Sequence, residues 1–481
     1  MTKVIRNSKY TWLIGLVLTM GIILVPVTIY LPKERASIDD PWAGVPERIP
    51  ETDHSYLLDG AFETGQDVTL ACLECHEESS HQVMDTVHWT WESEPVTLPG
   101  RDEPVTIGKK NQINNFCIGV QGNWPKCTTC HTGYGWEDET FFDTATQADV
   151  DCLVCHDNSG GYKKGISGNP VEGVDLLAVA QSVGGAPTRE NCGSCHFNGG
   201  GGNAVKHGDL DESLYWPAEN QDVHMGEYDF LCVDCHQTED HNIGGRSISV
   251  SVENENQIYC TDCHQEELHQ DERINSHMAS VACQTCHIPA GATRDATKME
   301  WDWSTAGQDL EEDAHTYLKI KGSFVYEENF IPEYRWYNGM SDRYILGDII
   351  DPDQLTAINL PLGDINDPSA KIFPFKIHIA MQIYDPIYNI LIQPKTVGEG
   401  GFWTEFDWDL AARLGSEITG LPYSGQYGFT ETIMFWPTTH MVQPAGEALQ
   451  CTACHGDESR LDWAALGYPG DPMEWGSRFD N

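Results

Sequence analysis

The string Cys-x-x-Cys-His occurs eight times in this chain. In order, the motifs are Cys72-Cys75-His76, Cys127-Cys130-His131, Cys152-Cys155-His156, Cys192-Cys195-His196, Cys232-Cys235-His236, Cys260-Cys263-His264, Cys283-Cys286-His287 and Cys451-Cys454-His455. Each is a c-type haem attachment signal. The two thiols form thioethers to the haem, and the following histidine becomes an axial iron ligand. Sixteen of the seventeen cysteines are used this way. Zinc ribbons pair their Cys-x-x-Cys units and do not need His at that fixed place. Structural disulfides do not need the spacing. The count predicts eight covalently bound haems c.

That prediction controls the fold. A chain of 481 residues would ordinarily make two or three domains. Seven of the motifs, however, fall between Cys72 and His287. About thirty residues per site are too few for a conventional core in that region, so the macrocycles must supply it. The 15 Trp, 18 Tyr and 15 Phe suit packing against flat rings, and 45 Gly and 25 Pro suit a loop-rich wrapper. The expected fold is a multihaem cytochrome c, loop-rich and mainly α around a packed haem core, with some β in 291–450 and one N-terminal transmembrane helix.

Net charge is −46. A nucleic-acid partner is excluded, because phosphate backbones are met by Lys and Arg. The acidity reads either as a solvated surface in a salty medium or as a docking surface for a basic redox partner. Residues 1–10 carry Lys3, Arg6 and Lys9, and an apolar run follows from Trp12 to Leu31. That pattern is a positive-inside start and a span long enough for a bilayer. An uncleaved anchor is the preferred reading. A cleaved signal is the alternative, with Ala36-Ser37 the nearest cleavage point. Either places the rest of the chain at the periplasmic face of the membrane or in the periplasm.

Four segments follow. Residues 1–34 form the anchor or signal, and 35–60 a linker rich in Pro and acid. Residues 61–290 form the haem-dense domain, punctuated by Gly-rich loops at 160–170, 181–187 and 197–203. Residues 291–481 form a C-terminal wrap that returns the eighth motif. Within it, 319–339 and 371–394 read as strands or extended wrap, and 405–418 as one amphipathic helix.

Electron-transfer haems take a second axial ligand. Eleven histidines lie outside the motifs. His88, His224, His241, His277 and His440 are the first choices, His207, His269 and His378 the next, and His54, His81 and His315 the last. Two further residues attract attention. Cys117 is the cysteine outside the motifs, ten residues before Cys127; alone, it reads equally as an inert buried thiol or a functional one. Lys206 follows the four glycines 199–202 and adjoins His207; alone, it reads as an ordinary solvated lysine.

KKNQINNFCIG (109–119), KCTTCH (126–131), NCGSCHFNGGGGNAVKHGDL (191–210), DFLCVDCHQTEDHNIGGR (229–246), VACQTCHIPA (281–290) and EALQCTACHG (447–456) resemble the octahaem tetrathionate reductase family. That family is a branch of the multihaem group holding hydroxylamine oxidoreductase and the nitrite reductases. The resemblance covers about 60–460. It implies that the haem on Cys127, Cys130 and His131 takes a lysine, here Lys206, as distal ligand, and that Cys117 and Asn114 line that pocket. Iron binds the neutral amine, so burial must lower the Lys206 pKa. A flexible glycine run could let the lysine swing away. A thiolate there suits polythionate chemistry: it attacks a central sulfur and expels thiosulfate. An anionic substrate needs cations, and Lys109, Lys110, Lys126, Lys163 and Lys164 lie near in sequence; they read equally as scattered solvated lysines. Hydroxylamine oxidoreductases cross-link a tyrosine to their catalytic haem; Tyr344 and Tyr384 are available, but no motif marks either.

The expected function is multi-electron reduction of tetrathionate, with nitrite and hydroxylamine as other candidates. The expected partners are redox proteins, a quinol-oxidising membrane cytochrome first, and a small anionic substrate. The rivals are a non-catalytic electron conduit and an oxidase acting on hydroxylamine or thiosulfate.

Overall fold

A computed structural model describes Leu16, Thr19, Met20 and residues 40–113, 118–248, 250–265 and 268–478. Most of the apolar run Trp12–Leu31 lies outside the described residues, as do Asn114 and Cys117. Among the described residues no helix is long and apolar enough to cross a membrane.

In the haem-dense region the regular structure is a series of short helical turns. Attachment motifs sit on turns of three to five residues, such as Leu153–His156, Cys232–Cys235 and Cys283–His287. Longer helices here are α1, Gly65–Leu73, and α2, Arg189–His196. Each carries a motif at its C-terminal end and starts from a threonine capping box, at Thr64 and Thr188. Packing between these turns is divided among small clusters, for example Val68 with Leu153, Leu176, Val179 and Ala180.

The C-terminal part carries the β structure expected in 291–450, and more of it than expected. Its centre is an eight-stranded sheet. The strands are β1 Thr297–Asp302, β2 Tyr317–Leu318, β3 Gly322–Glu327, β4 Glu333–Tyr337, β5 Thr356–Ala357, β6 Lys371–Asp385, β7 Ile390–Leu391 and β8 Gly428–Pro437. The order is β2-β3-β1-β6-β8-β5, with β4 and β7 pairing the two ends of β6. The β6–β1 and β8–β5 pairs are parallel, and β6–β8 is antiparallel over ten residue pairs. The fold is therefore mixed. With no attachment motif within 291–450, this stretch has enough apolar residues to build an ordinary core, and Trp301, Trp303, Ile358, Leu391, Phe402, Met434 and Trp436 belong to it. Amphipathic α3, Trp408–Thr419, lays Ala411 and Ala412 onto that core and ends at Gly420 with φ 72°.

Alternation along β6 positions the site. Phe375, Ile377 and Ile379 point to one face and pack with Ile433, Phe435 and Ala282, beside the seventh motif. Lys376, His378, Ala380 and Gln382 point to the other, next to Trp436 and Met434 of β8. That second face is buried and polar, and the segment carrying Lys206 lies against it.

Candidate haem sites and the lysine pocket

Numbering the motifs as sites 1 to 8 in chain order, six motif histidines each face another histidine. The pairs are His156–His241, His196–His88, His236–His440, His264–His224, His287–His269 and His455–His277, at ring separations of 6.5, 6.2, 6.3, 6.0, 6.2 and 6.2 Å. Two imidazoles on one metal, with metal–nitrogen bonds of about 2.0 Å, have centroids roughly 6 Å apart. The gap thus has the width of a bis-histidine iron.

The outer contacts agree. Metal-ligating imidazoles normally give their second nitrogen to an acceptor, which fixes the ring. Here Nδ1 of His236 meets the Gly244 carbonyl (2.7 Å), Nδ1 of His277 the Arg273 carbonyl (2.5 Å) and Nδ1 of His241 the Gln82 amide oxygen (2.8 Å). Nδ1 of His455 meets Asp471 (2.6 Å), and Nδ1 of His440 meets the buried Asp209 (3.3 Å). Each leaves Nε2 for the gap. The residues therefore fit the group.

Cysteine contacts show which sites adjoin. These sulfurs are thioethers once haem is attached, so proximity matters here and thiol acidity does not. Cys72 touches Cys152, Cys130 touches Cys195, Cys192 touches Cys232, and Cys260 touches Cys283. Cys155 lies near Cys192, Cys235 near Cys263, and Cys286 near Cys451 and Cys454. Sites 2-4-5-6-7-8 form a run, and sites 3 and 1 branch from site 4. Site 2 is an end of the network.

Sites 1 and 2 lack a facing histidine pair among the described residues, and they differ in that His76 is exposed whereas His131 is buried. The His131 ring is buried against Trp136, Trp89, Trp91 and Phe141 at 4.8, 5.0, 5.4 and 5.4 Å, with no histidine opposite among the described residues. Its Nε2 lies 2.8 Å from the Trp89 carbonyl. Iron ligation through Nε2 at this site requires the ring to turn from that carbonyl. Lys206 is buried and within electrostatic reach of Cys127 and Cys130. Burial holds its pKa well below the ordinary lysine value, and the charges of Lys109 and Arg343 push the same way.

The glycine run does not leave the Lys206 backbone loose, contrary to the swinging-loop expectation. Gly199 and Gly202 bridge each other. The Ala204 carbonyl accepts from Thr297 Oγ1 (2.7 Å), and the His207 carbonyl from the same hydroxyl (3.0 Å). Lys376 Nζ donates to the carbonyls of Val205 (3.2 Å) and Lys206 (2.9 Å) and to Thr297 Oγ1 (2.6 Å). The chain from 204 to 207 is a strap docked on β1 and β6, so any movement of the amine is confined to its side chain.

The lysines near in sequence divide. Lys109, Lys164 and Lys206 all act electrostatically on Cys130, and Lys126 acts on Cys127. Lys164 is itself paired with Asp151 at 2.5 Å and Lys110 with Glu92 at 2.8 Å, and Lys163 is exposed.

Two of the selected distal histidines go elsewhere. His207 packs edge-on to Trp436 at 5.0 Å, and His378 stacks near Trp301 at 6.5 Å in the polar face of β6. His378 is buried and His207 half-buried, and neither stands opposite a motif histidine; β-strand alternation and the turn after Lys206 carry them to the side of the lysine pocket. His315 stacks on Tyr326. The hydroxyl of Tyr344 is engaged by Leu391 N and the Asp348 carbonyl. Neither Tyr344 nor Tyr384 stacks on a motif histidine. Sequence reasoning missed Lys376, Lys298 and Arg343. Lys298 sits over Trp301 (3.8 Å) and Phe324 (3.4 Å), and burial pushes its pKa down to about 5. No motif signals these three; a lysine alternating with apolar residues in a strand is the one visible cue.

A solved octahaem cytochrome c from Shewanella oneidensis matches with TM-score 0.82 and 49% identity, over 88% of this chain and 98% of that one. The chain belongs to the octahaem c-type cytochromes. Two family descriptions match parts of it: bacterial cytochrome c over residues 298–458, and cytochrome c7 and related cytochrome c over 218–288. An uncharacterized protein of Archaeoglobus fulgidus is 25% identical over 254 residues, which is 43% of this chain and 84% of that protein. As an octahaem cytochrome c, the chain binds haem c covalently and works in redox and electron transfer.

Proposed function

We propose that the chain carries eight haems c and reduces small sulfur or nitrogen oxyanions at site 2, tetrathionate first and nitrite or hydroxylamine as alternatives. The observation that carries this reading is the contrast at site 2. Six sites are closed by facing histidines, whereas at site 2 the buried Lys206, its pKa lowered by burial, lies within electrostatic reach of Cys127 and Cys130. When bound, the haems supply one-electron transfer and, at site 2, an iron with an exchangeable ligand. Lys206, kept neutral by burial, would be the residue that holds that exchangeable position. Lys109, Lys126 and Arg343 supply positive charge that draws an anion inward despite the net charge of −46. Cys117 and Asn114 enter through the family resemblance alone, as the thiol that attacks polythionate sulfur and its pocket neighbour. The cell-side reading is retained as part of the proposal: a periplasm-facing protein, held by Trp12–Leu31 or released after cleavage, fed by a quinol-oxidising cytochrome.

The test is steady-state oxidation of a reduced viologen by the holo-protein against tetrathionate, nitrite and hydroxylamine in parallel. Turnover with any of them supports a reductase and ranks its substrates. Complete haem reduction with no turnover would make the chain a conduit.

Site 1 needs its own distal ligand. His54 and His76 both act electrostatically on His156. His54 Nδ1 is held by the carbonyls of Val183 (2.8 Å) and Thr52 (2.9 Å), the same arrangement as in the paired ligands. His81 presents Nε2 to the Gln147 amide instead (2.5 Å). We therefore assign His54, a last choice on sequence, to site 1. His54→Ala should convert one haem per chain to the high-spin ferric form, seen by electron paramagnetic resonance; an unchanged spectrum removes the assignment.

A further inference from the structure

The three ends of the haem network, sites 1, 2 and 8, differ in the charge around their histidines. At site 8 the proximal His455 gives its second nitrogen to a carboxylate. Its Nδ1 lies 2.6 Å from Asp471 Oδ1, and the two side chains are 15 and 17% exposed. A histidine that ligates through Nε2 carries its proton on Nδ1, so Asp471 is the acceptor. The carboxylate is itself fixed. Its Oδ2 accepts from Gly456 N (2.8 Å) and its Oδ1 from Met473 N (2.9 Å). At site 1 the acceptors around His54 are the neutral carbonyls of Val183 and Thr52. At site 2 the nearby charge is positive. Lys109 Nζ sits over the Trp91 ring (4.2 Å), and Trp91 packs edge-on to His131 (5.4 Å). The Lys109 charge reaches His131 and also His196 of site 4.

The interior sites divide along the same line. Asp209 lies 3.3 Å from His440 at site 5, and Asp222 lies 3.9 Å from His224 at site 6, beyond hydrogen-bond length. With Asp471, these are the carboxylates within 4 Å of an axial histidine among the described residues, and all three stand in the half of the run away from site 2. Asp471 makes the shortest of the three contacts. A carboxylate on the outer nitrogen raises the basicity of the ligand and favours ferric iron, which lowers the potential; a nearby positive charge favours ferrous iron and raises it. Both effects are largest where water is excluded.

We propose that Asp471 is a positioning residue that, through His455, makes site 8 the low-potential end of the network, so that electrons run downhill from site 8 toward sites 4 and 2. The use of that slope rests on the reductase reading of site 2. A one-electron donor protein supplies the electrons singly at site 8, and two of them are consumed when one tetrathionate is split into two thiosulfates at site 2. Exposure agrees with this direction: Cys451 of site 8 is exposed, and His131 of site 2 is buried.

The experiment is a reductive titration of the holo-protein without substrate, followed by electron paramagnetic resonance, in wild type, Asp471→Asn and Asp471→Glu. Asparagine keeps the size and still caps the turn Pro472–Trp475, so it removes the charge alone. One component should become easier to reduce by about tenfold in its reduced-to-oxidised ratio, about 59 mV for a one-electron couple. Asp471→Glu, which keeps the charge, should stay near wild type. In wild type the component that Asp471→Asn moves should be reduced after the component that Lys206→Leu removes. Lys109→Met should make the latter harder to reduce, which keeps the test valid where Asp471→Asn fails to load haem. No moved component, or a site-8 component reduced before that of site 2, would overturn the slope. The slope is measured without substrate, so its presence with no turnover would uphold Asp471 and remove the reductase reading, and turnover without a slope would do the reverse.

Discussion

Lys206→Leu should yield a protein with all its haems attached, one of them high-spin in the ferric state, and substrate reduction lowered by more than about 100-fold. Altering an outer contact of a metal ligand typically costs ten- to a hundredfold, and this substitution removes the ligand itself. Leucine keeps the apolar stem, so the aromatic neighbourhood of Trp436, 5.7 Å from the Lys206 amine, stays packed. The strap also stays in place, because its carbonyls are held by Thr297 and Lys376 rather than by the Lys206 side chain. The spectral change is therefore local to site 2. Electron paramagnetic resonance and viologen turnover read the two effects. A spectrum identical to wild type would show that Lys206 does not ligate iron.

Lys376→Met should weaken the protein and blur the site-2 signal together. Lys376 is fully buried in the centre of β6, and burial holds its pKa well below the ordinary value. Its amine bonds the carbonyls on both sides of the Lys206 α-carbon and the hydroxyl of Thr297. Methionine fills the volume but leaves three buried polar groups short of a partner. At roughly 1–3 kcal/mol for each group left unsatisfied, a loss of at least about 3 kcal/mol is expected. It should appear as a lower thermal midpoint of the holo-protein. The freed strap should broaden or split the Lys206-dependent signal, while the bis-histidine signals stay unchanged. A stability loss with an intact site-2 spectrum would show that Lys376 braces the sheet without positioning the lysine.

Legibility differed by residue according to how local the chemistry is. An attachment site is five consecutive residues, so every motif could be read directly. The distal histidines are non-local. His88, His224, His241, His269, His277 and His440 were selected by supply and demand, and the fold does place each opposite a motif histidine. The same counting also selected His207 and His378, which the strap and β6 carry to the side of the lysine pocket. It ranked His54 last because nothing in sequence shows that the carbonyl of Val183, 129 residues away, orients its ring.

The fold divided in the same way. Strand alternation in 371–394 and the helix at 405–418 were visible as periodicity and were found as β6 and α3. The extent of the sheet was not visible, because β2, β5 and β7 are two-residue strands that exist only through their neighbours. By itself the sequence determined the cofactor chemistry and marked the motif histidines as candidate proximal ligands, since covalent attachment needs only adjacent side chains; Lys206 became a candidate only through the family resemblance. Tertiary structure alone decided which histidines face each other, which sites touch, and that the Lys206 backbone is clamped. It also decided that Arg343, 137 positions further along the chain, lies in its electrostatic reach. Those are distances across the fold, set by burial and hydrogen bonds between segments that no local pattern connects.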